Sequence, residues 1–204
     1  MVDEKGRYRQ QRQGVLRERA LQAAVDVARD NGWNNVTMRK VADRIDYTHA
    51  ALYAYFTSKE DLLLALLQQG HQVLRAHLDA ARAAAPTPDA ALFAVMKAYW
   101  DFAYQQPELY QVMHGFGGVA FSTAETRADG QQIAEPVAAT IEAVLVHHGH
   151  TPRDVDQKVE LLWSTMHGLV TLTMAGRFEQ AHAATLATQA VRDALTVWGV
   201  PQPD

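Results

Sequence analysis

Apolar positions recur along this chain at intervals of three and four residues, and no convincing alternating strand interrupts them. Leu16, Ala20, Ala23, Ala24, Val27 and Ala28 form one stripe, which predicts a first helix from Gln13 to Asn31 ended by Gly32. Met38, Val41, Ala42 and Ile45 fall at i, i+3, i+4 and i+7 and predict a short second helix. Asp46-Tyr47-Thr48 breaks that pattern, and Thr48 is placed to cap a third helix by accepting from free backbone N–H groups. Ser58, with Asp61 three positions on, opens a fourth helix through Leu62, Leu66, Leu74 and Leu78. About 25 residues at roughly 1.5 Å each would carry it across about 40 Å.

Pro86-Thr87-Pro88 marks a boundary. Leu92, Val95, Met96, Tyr99, Phe102 and Ala103 predict a fifth helix, Pro107 to Met113 a short sixth, and Ile133 to Leu145 a seventh that ends at Gly149. Gly115, Gly117 and Gly118 make a loose connection that would suit a lid. Thr151, Pro152 and Asp154 signal an eighth helix reaching about Arg177, and the ninth runs near Ala183 to Trp198. The eighth is apolar on two sides: Val159, Leu162, Met166 and Val170 on one, Leu161, Thr165, Gly168, Leu169 and Leu172 on the other. A helix apolar on two sides must bury both, either within the chain or in a four-helix interface with a second copy. The expected fold is all-α, with about nine helices.

The segment Thr37 to Phe56 holds the most informative chemistry. Two short helices joined by a tight turn, the second capped by a hydroxyl and built from small residues and tyrosines, suit a helix presented to the major groove of DNA. Along a third helix from about Thr48 to Tyr55, Ala51, Leu52 and Phe56 face inward; His49, Ala50, Tyr53 and Tyr55 are free to face out. His49 and Tyr47 are candidates for base edges or nearby phosphates, and Thr48, Tyr53 and Lys59 for phosphates, with Thr37 and Arg39 at the start of the preceding helix. The alternative is an ordinary helical hairpin in a core.

From Gly14 to about Leu74 the sequence resembles the TetR (tetracycline-repressor-like) regulators without a gap. The resemblance runs through Ala23-Ala24, Gly32, Thr37 with Val41-Ala42, Thr48, Leu52-Tyr53 with Phe56, and Ser58-Lys59-Glu60. Asp46 stands where that family usually has Gly in the turn. Leu162-Trp163-Ser164-Thr165-Met166-His167-Gly168 with Pro107-Glu108-Leu109-Tyr110 resembles TetR regulators whose C-terminal half carries a Trp…His-Gly signature. The resemblance implies a helix-turn-helix DNA-binding domain over 14–74, with the motif at about 37–56. It also implies a ligand-binding and dimerisation domain over 85–199, with the last two helices forming the homodimer.

Composition changes the picture at three points. The net charge of −4 argues against nucleic-acid binding, but residues 1–60 hold 11 Lys and Arg against 8 Asp and Glu, and the remainder hold 8 against 15. Lys5, Arg7, Arg9, Arg12, Arg17 and Arg19 are the densest positive stretch, either an arm that tracks DNA or a solvated tail. The absence of cysteine excludes disulfides and thiolate metal sites. The opening residues have no apolar core of a signal peptide, and no run reaches membrane-spanning length, so a cytoplasmic protein without a membrane partner is expected.

Tyr99, Tyr110, Met113, His114, Trp163, Met166 and His167 are candidates to line a mostly apolar effector pocket, the alternative being plain core packing. His147, His148 and His150 invite a metal, but consecutive helical positions diverge and no fixed carboxylate is evident; the helix C-terminus accounts for them more simply. No metal or cofactor is therefore assigned. No catalytic motif is present: there is no GxSxG, no HExxH, no phosphate-binding loop and no cysteine nucleophile. The sequence thus points to a non-enzymatic, ligand-responsive regulator, probing double-stranded operator DNA as a homodimer and released by a small-molecule effector. The alternative is a helical small-molecule-binding protein or enzyme with a vestigial DNA-binding module.

Overall fold

The computed structural model describes residues 4–115 and 124–201, with the side chains of residue 7 and of residues 14–115 and 131–201. Among the described residues there are nine α-helices and no strand. They are α1 (Glu4–Asn31), α2 (Met38–Arg44), α3 (His49–Tyr53), α4 (Lys59–Ala84), α5 (Pro88–Gln105), α6 (Pro107–Met113), α7 (Ala124–His147), α8 (Val155–Met174) and α9 (Gln180–Val197), with a 3-10 turn at Trp33–Asn35. The chain divides into two compact units, residues 1–70 with 107–123 and residues 71–106 with 124–204.

In the first unit, α1 begins nine residues before the expected Gln13. The stripe that predicted it is a burial signal, and a helix can continue beyond its buried face. The side chains of Lys5, Arg9 and Arg12 lie outside the described residues, and Arg7 is exposed. Leu16, Ala20, Ala24 and Val27 of α1 are buried together with Val41, Ala42, Leu52 and Phe56, and these residues form the core of this unit. The fourth helix opens as read: Ser58 Oγ accepts from Asp61 N at 3.1 Å. The Asp61 carboxylate reaches one residue further back than a capping box requires, accepting from Thr57 N at 2.8 Å and from Thr57 Oγ1 at 3.1 Å.

α6 lies far along the chain yet belongs to this unit. Arg29 of α1 grips the nearly buried Glu108 with two hydrogen bonds, Nε to Oε1 at 3.1 Å and Nη2 to Oε2 at 3.3 Å. That bond and the adjacent carboxylate charge raise the Arg29 pKa above its ordinary value, so the guanidinium stays charged. Met113 closes against Gly70 of α4; a Cβ placed on Gly70 would lie 2.5 Å from Met113 Sδ and 2.8 Å from its Cγ. Glycine is required there by proximity, not by backbone angle.

The second unit is built from the last turns of α4 with α5, α7, α8 and α9. α7 contains Pro136, which removes the N–H that would bond Gln132 O. Arg75 of α4 supplies the missing donor, its Nη1 reaching Gln132 O at 2.5 Å and Glu135 Oε2 at 2.7 Å. α8 stops at Met174, short of the expected Arg177, because the chain turns through a left-handed Gly176. Asp154 precedes α8 as read but makes no side-chain cap; its φ is 52°. Of the loose glycine connection, Gly115 has a φ of 81°, and Gly117 and Gly118 lie outside the described residues.

Replacing Gly70 with Val should lower stability by about 1–3 kcal/mol, the cost of overpacking a filled site. Thermal unfolding checks this, and an unchanged midpoint would mean that α6 gives way freely.

Candidate nucleic-acid interface

The turn between α2 and α3 closes with the hydrogen bonds of a left-handed helix exit. Tyr47 N donates to Ala42 O at 3.0 Å and Asp46 N to Asp43 O at 3.3 Å, with Asp46 at φ 58°. The same pair of bonds closes α7 at Gly149, α8 at Gly176 and α9 at Gly199. Three of these four exits use glycine; the one that aims α3 uses aspartate. Asp and Asn visit this region at lower cost than other L-residues, so the turn keeps its form at some expense in strain.

Both short helices are capped by threonine, Thr48 as the sequence implied and Thr37 in addition. Thr37 Oγ1 accepts from Lys40 N at 3.2 Å, and Thr48 Oγ1 accepts from Ala51 N at 3.1 Å. α3 is five residues long, and a turn takes over at Ala54 and Tyr55, short of the helix expected to reach Tyr55. Leu52 and Phe56 are buried and fix its inner side. Tyr47, His49, Ala50 and Tyr53 are exposed on the outer side, and His49 packs edge-on against Tyr53 with ring centroids 4.8 Å apart.

Long-range contacts that the sequence does not announce brace this surface. Arg19 Nη2 donates to Ile45 O at 3.3 Å, with its guanidinium 5.8 Å from the Tyr47 ring. Arg17 sits 5.5 Å from the Phe56 ring. Arg44 bonds Asp30 at 2.6 Å and so ties α2 to α1. Lys59 Nζ donates to Trp33 O at 3.1 Å, so the lysine is held at the foot of α4 instead of ranging freely. Arg39 stays well exposed, with only a 3.8 Å approach to Asp43. Thr37, Arg39, Tyr47, Thr48, His49, Ala50, Tyr53 and Lys59 are thus all on one unit, gathered around α2, α3 and the start of α4.

The effector candidates are distributed differently. Tyr110, Met113 and His114 belong to the first unit, with the Tyr110 and His114 rings 4.2 Å apart and His114 Nδ1 2.8 Å from Tyr110 O. Tyr99, Trp163, Met166 and His167 belong to the second. Tyr99 and Met166 are buried, whereas Trp163 is 46% exposed and stacks on His167 at 5.5 Å and 17°. Burial lowers the His167 pKa below its ordinary 6.5, which favours the neutral ring.

The geometry defines a helix-turn-helix module carried by an all-helical chain. Residues 20–66 match the family model described as bacterial regulatory proteins, tetR family, and residues 92–195 match that of the tetracyclin repressor-like C-terminal domain. The chain belongs to the tetR family. It is similar to the HTH-type transcriptional repressor KstR of Mycobacterium tuberculosis, 39% identical over 72 residues, which are 35% of this chain and 33% of that one. It is also similar to the nucleoid occlusion factor SlmA of Actinobacillus pleuropneumoniae, 26% identical over 42% of this chain and 43% of that one. The match therefore spans less than half the length of these curated relatives. Among solved structures, a protein with unknown function from Rhodococcus sp. RHA1 superposes with a TM-score of 0.75 at 24% identity, over 92% of this chain and 96% of that one. The TetR family transcriptional regulator PfmR from Thermus thermophilus gives 0.67 at 18%, over 85% and 97%. At these identities the likeness shows the fold alone.

Asp46→Ala should destabilise the protein by about 1–2 kcal/mol, the cost of a left-handed L-residue, while Asp46→Gly should not. Equal losses in denaturant titrations of both variants would assign the role to the carboxylate instead of the conformation.

Proposed function

We propose that this chain is a homodimeric DNA-binding transcriptional regulator, a repressor released from an inverted-repeat operator by a small-molecule effector. The observation that carries the reading is α3: capped by Thr48, locked from beneath by Leu52 and Phe56, and presenting Tyr47, His49, Ala50 and Tyr53 outward. Small Ala50 permits close approach to a groove wall. His49 and Tyr47 touch base edges or nearby phosphates; Thr37, Arg39, Thr48, Tyr53 and Lys59 position the protein on the backbone. Family membership and the repressor named among the relatives support the same reading. The functional division follows residues 14–74 for DNA and 85–199 for ligand and dimerisation.

The dimer uses α8 and α9. Leu161 is 71% exposed and Val197 83%, with Trp163 and Leu172 also uncovered, on helices whose other faces are already buried. Leu161, Val197 and Trp198 also line an open groove of about 560 Å³ at this end of the second unit. In the second unit Tyr99, Trp163, Met166 and His167 are the effector contacts. In the first, Tyr110, Met113 and His114 lie on or just after α6, which Arg29 and Gly70 hold in the same unit as α3, so an effector that shifts α6 acts on the reading module. A coupling of about 1–3 kcal/mol would change affinity about 5–150-fold, and DNA must weaken effector binding by the same factor. The protein acts by binding and not by catalysis. Among the described residues no helix is long and apolar enough to cross a membrane, and we place the protein in the cytoplasm.

Fluorescence anisotropy with the gene's own upstream DNA, against random duplex at fixed salt, tests the reading. A preference of roughly three orders of magnitude or more is expected, as for specific over non-specific binding generally. Tyr53→Ala and Lys59→Ala should weaken binding to all sequences alike, and Lys59→Ala, which removes a charge, should also reduce the salt slope by about 1. Turnover of a small molecule without any DNA preference would favour a ligand-binding enzyme instead. In sedimentation velocity, Leu161→Glu should leave a monomer that has lost operator affinity, because a buried unpaired carboxylate costs several kcal/mol; a dimer that survives this change would exclude α8 as the interface.

A further inference from the structure

Asp89, His147 and His148 converge at one corner of the second unit, and nothing in the regulatory reading uses them. Each offers a ligand atom, and these atoms all lie within 4.8 Å of one another. His148 Nε2 faces both Asp89 carboxylate oxygens, at 2.9 and 3.0 Å. The His147 and His148 rings stand nearly perpendicular, 84° apart in orientation with centroids 4.9 Å apart.

The objections raised by the sequence fail on two observations. A fixed carboxylate does exist, 58 positions before His147 in the chain, on a different helix. Thr87 caps α5 by accepting from Ala90 N at 3.2 Å, which sets Asp89 in the first turn with its side chain only 19% exposed. The two histidines also do not diverge as consecutive helical residues would. His147 is the last residue of α7, and His148 lies in the turn that the left-handed Gly149 closes through His150 N to Leu145 O at 2.8 Å. That exit swings the His148 ring toward Asp89. His150 is directed elsewhere, its Nε2 being 3.3 Å from Gly199 O.

We propose that Asp89, His147 and His148 form a binding site for a first-row divalent cation of the zinc class, joining the start of α5 to the end of α7. Two imidazoles and a carboxylate match the preference of Zn²⁺, Ni²⁺ and Co²⁺ and disfavour Ca²⁺ and Mg²⁺, which require oxygen ligands. Zinc bonds of about 2.0–2.2 Å place neighbouring tetrahedral ligand atoms roughly 3.4 Å apart. The His148–Asp89 pair, at 2.9 Å, opens by roughly half an ångström to reach that spacing, and the exposed His147, whose ligand atom lies within 4.8 Å of the others, closes by no more than about 1.4 Å. Water completes the coordination. A cation bound at His148 Nε2 replaces the hydrogen bond between that nitrogen and Asp89, and the coordinated ring carries its proton on Nδ1.

The test uses the full-length protein, stripped with a chelator and titrated with Zn²⁺ by calorimetry and with Co²⁺ by visible absorption. One cation per chain is expected, with the d–d bands of a nitrogen- and oxygen-ligated Co²⁺ that Zn²⁺ abolishes. Asp89→Asn, His147→Ala and His148→Ala should each weaken binding at least about tenfold, since losing a direct ligand costs no less than losing an outer-shell partner. His150→Ala should leave it unchanged. Zn²⁺ should raise the unfolding temperature of the parent protein but not that of His147→Ala. Because His147 is exposed, that variant keeps its metal-free stability, which separates loss of the site from loss of the fold. Absence of Co²⁺ bands, or affinities in His147→Ala and Asp89→Asn equal to the parent's, would overturn the proposal and leave an ordinary hydrogen bond between His148 and Asp89.

Discussion

The direction in which α3 points depends on one backbone conformation. With Asp46 at φ 58°, the chain leaves α2 through Tyr47 N and Ala42 O and re-enters a helix within two residues, at the Thr48 cap. A five-residue helix has no stability of its own, because nucleation costs more than so few hydrogen bonds return. α3 persists because the turn, the cap and the buried Leu52 and Phe56 over-determine it. Arg19, bonded to Ile45 O and lying against Tyr47, holds the turn from outside. An extended α1 is therefore part of the reading surface's foundation as well as part of the core.

A second constraint lies in the composition of the first unit. α6 is separated from α1 by more than seventy residues, yet the Arg29–Glu108 pair and the Gly70–Met113 approach place it in the same compact body. Neither contact is strong alone: Arg29 is half exposed, and an exposed guanidinium contributes little through charge. Shape does more, since Met113 and Tyr110 are buried. A segment so placed can carry a change in its own surroundings to the module that bears α3, which is the physical content of the proposed coupling.

The second unit uses polar contacts between remote helices to repair what its sequence breaks. Pro136 would leave a carbonyl of α7 without a donor, and Arg75 provides one. The histidines at the end of the same helix meet a carboxylate from α5. Both are contacts between α7 and a helix far from it in sequence. The exposed apolar residues of α8 and α9 stand outside this network.

Much of this was legible in the sequence. Helical spacing determined the elements, Thr48 and Ser58 two of their caps, and Gly149 an exit, because capping and periodicity are local and act within a turn or two of chain. The run from Ala23 through Phe56 to Lys59 was enough to place the family, and the outward His49, Ala50 and Tyr53 followed from one face being apolar, whereas Tyr55 is half-buried in the turn that ends α3. The ends of α1, α3 and α8 did not follow, since a burial stripe marks only the part of a helix that packs. Nor did any contact whose partners are remote: Lys59 on Trp33, Arg29 on Glu108, Arg75 on Gln132, and Asp89 beside His147 and His148. Side-chain chemistry is written at each position, but which side chains meet is decided when helices separated by tens of residues pack together. Only the tertiary structure contains that information.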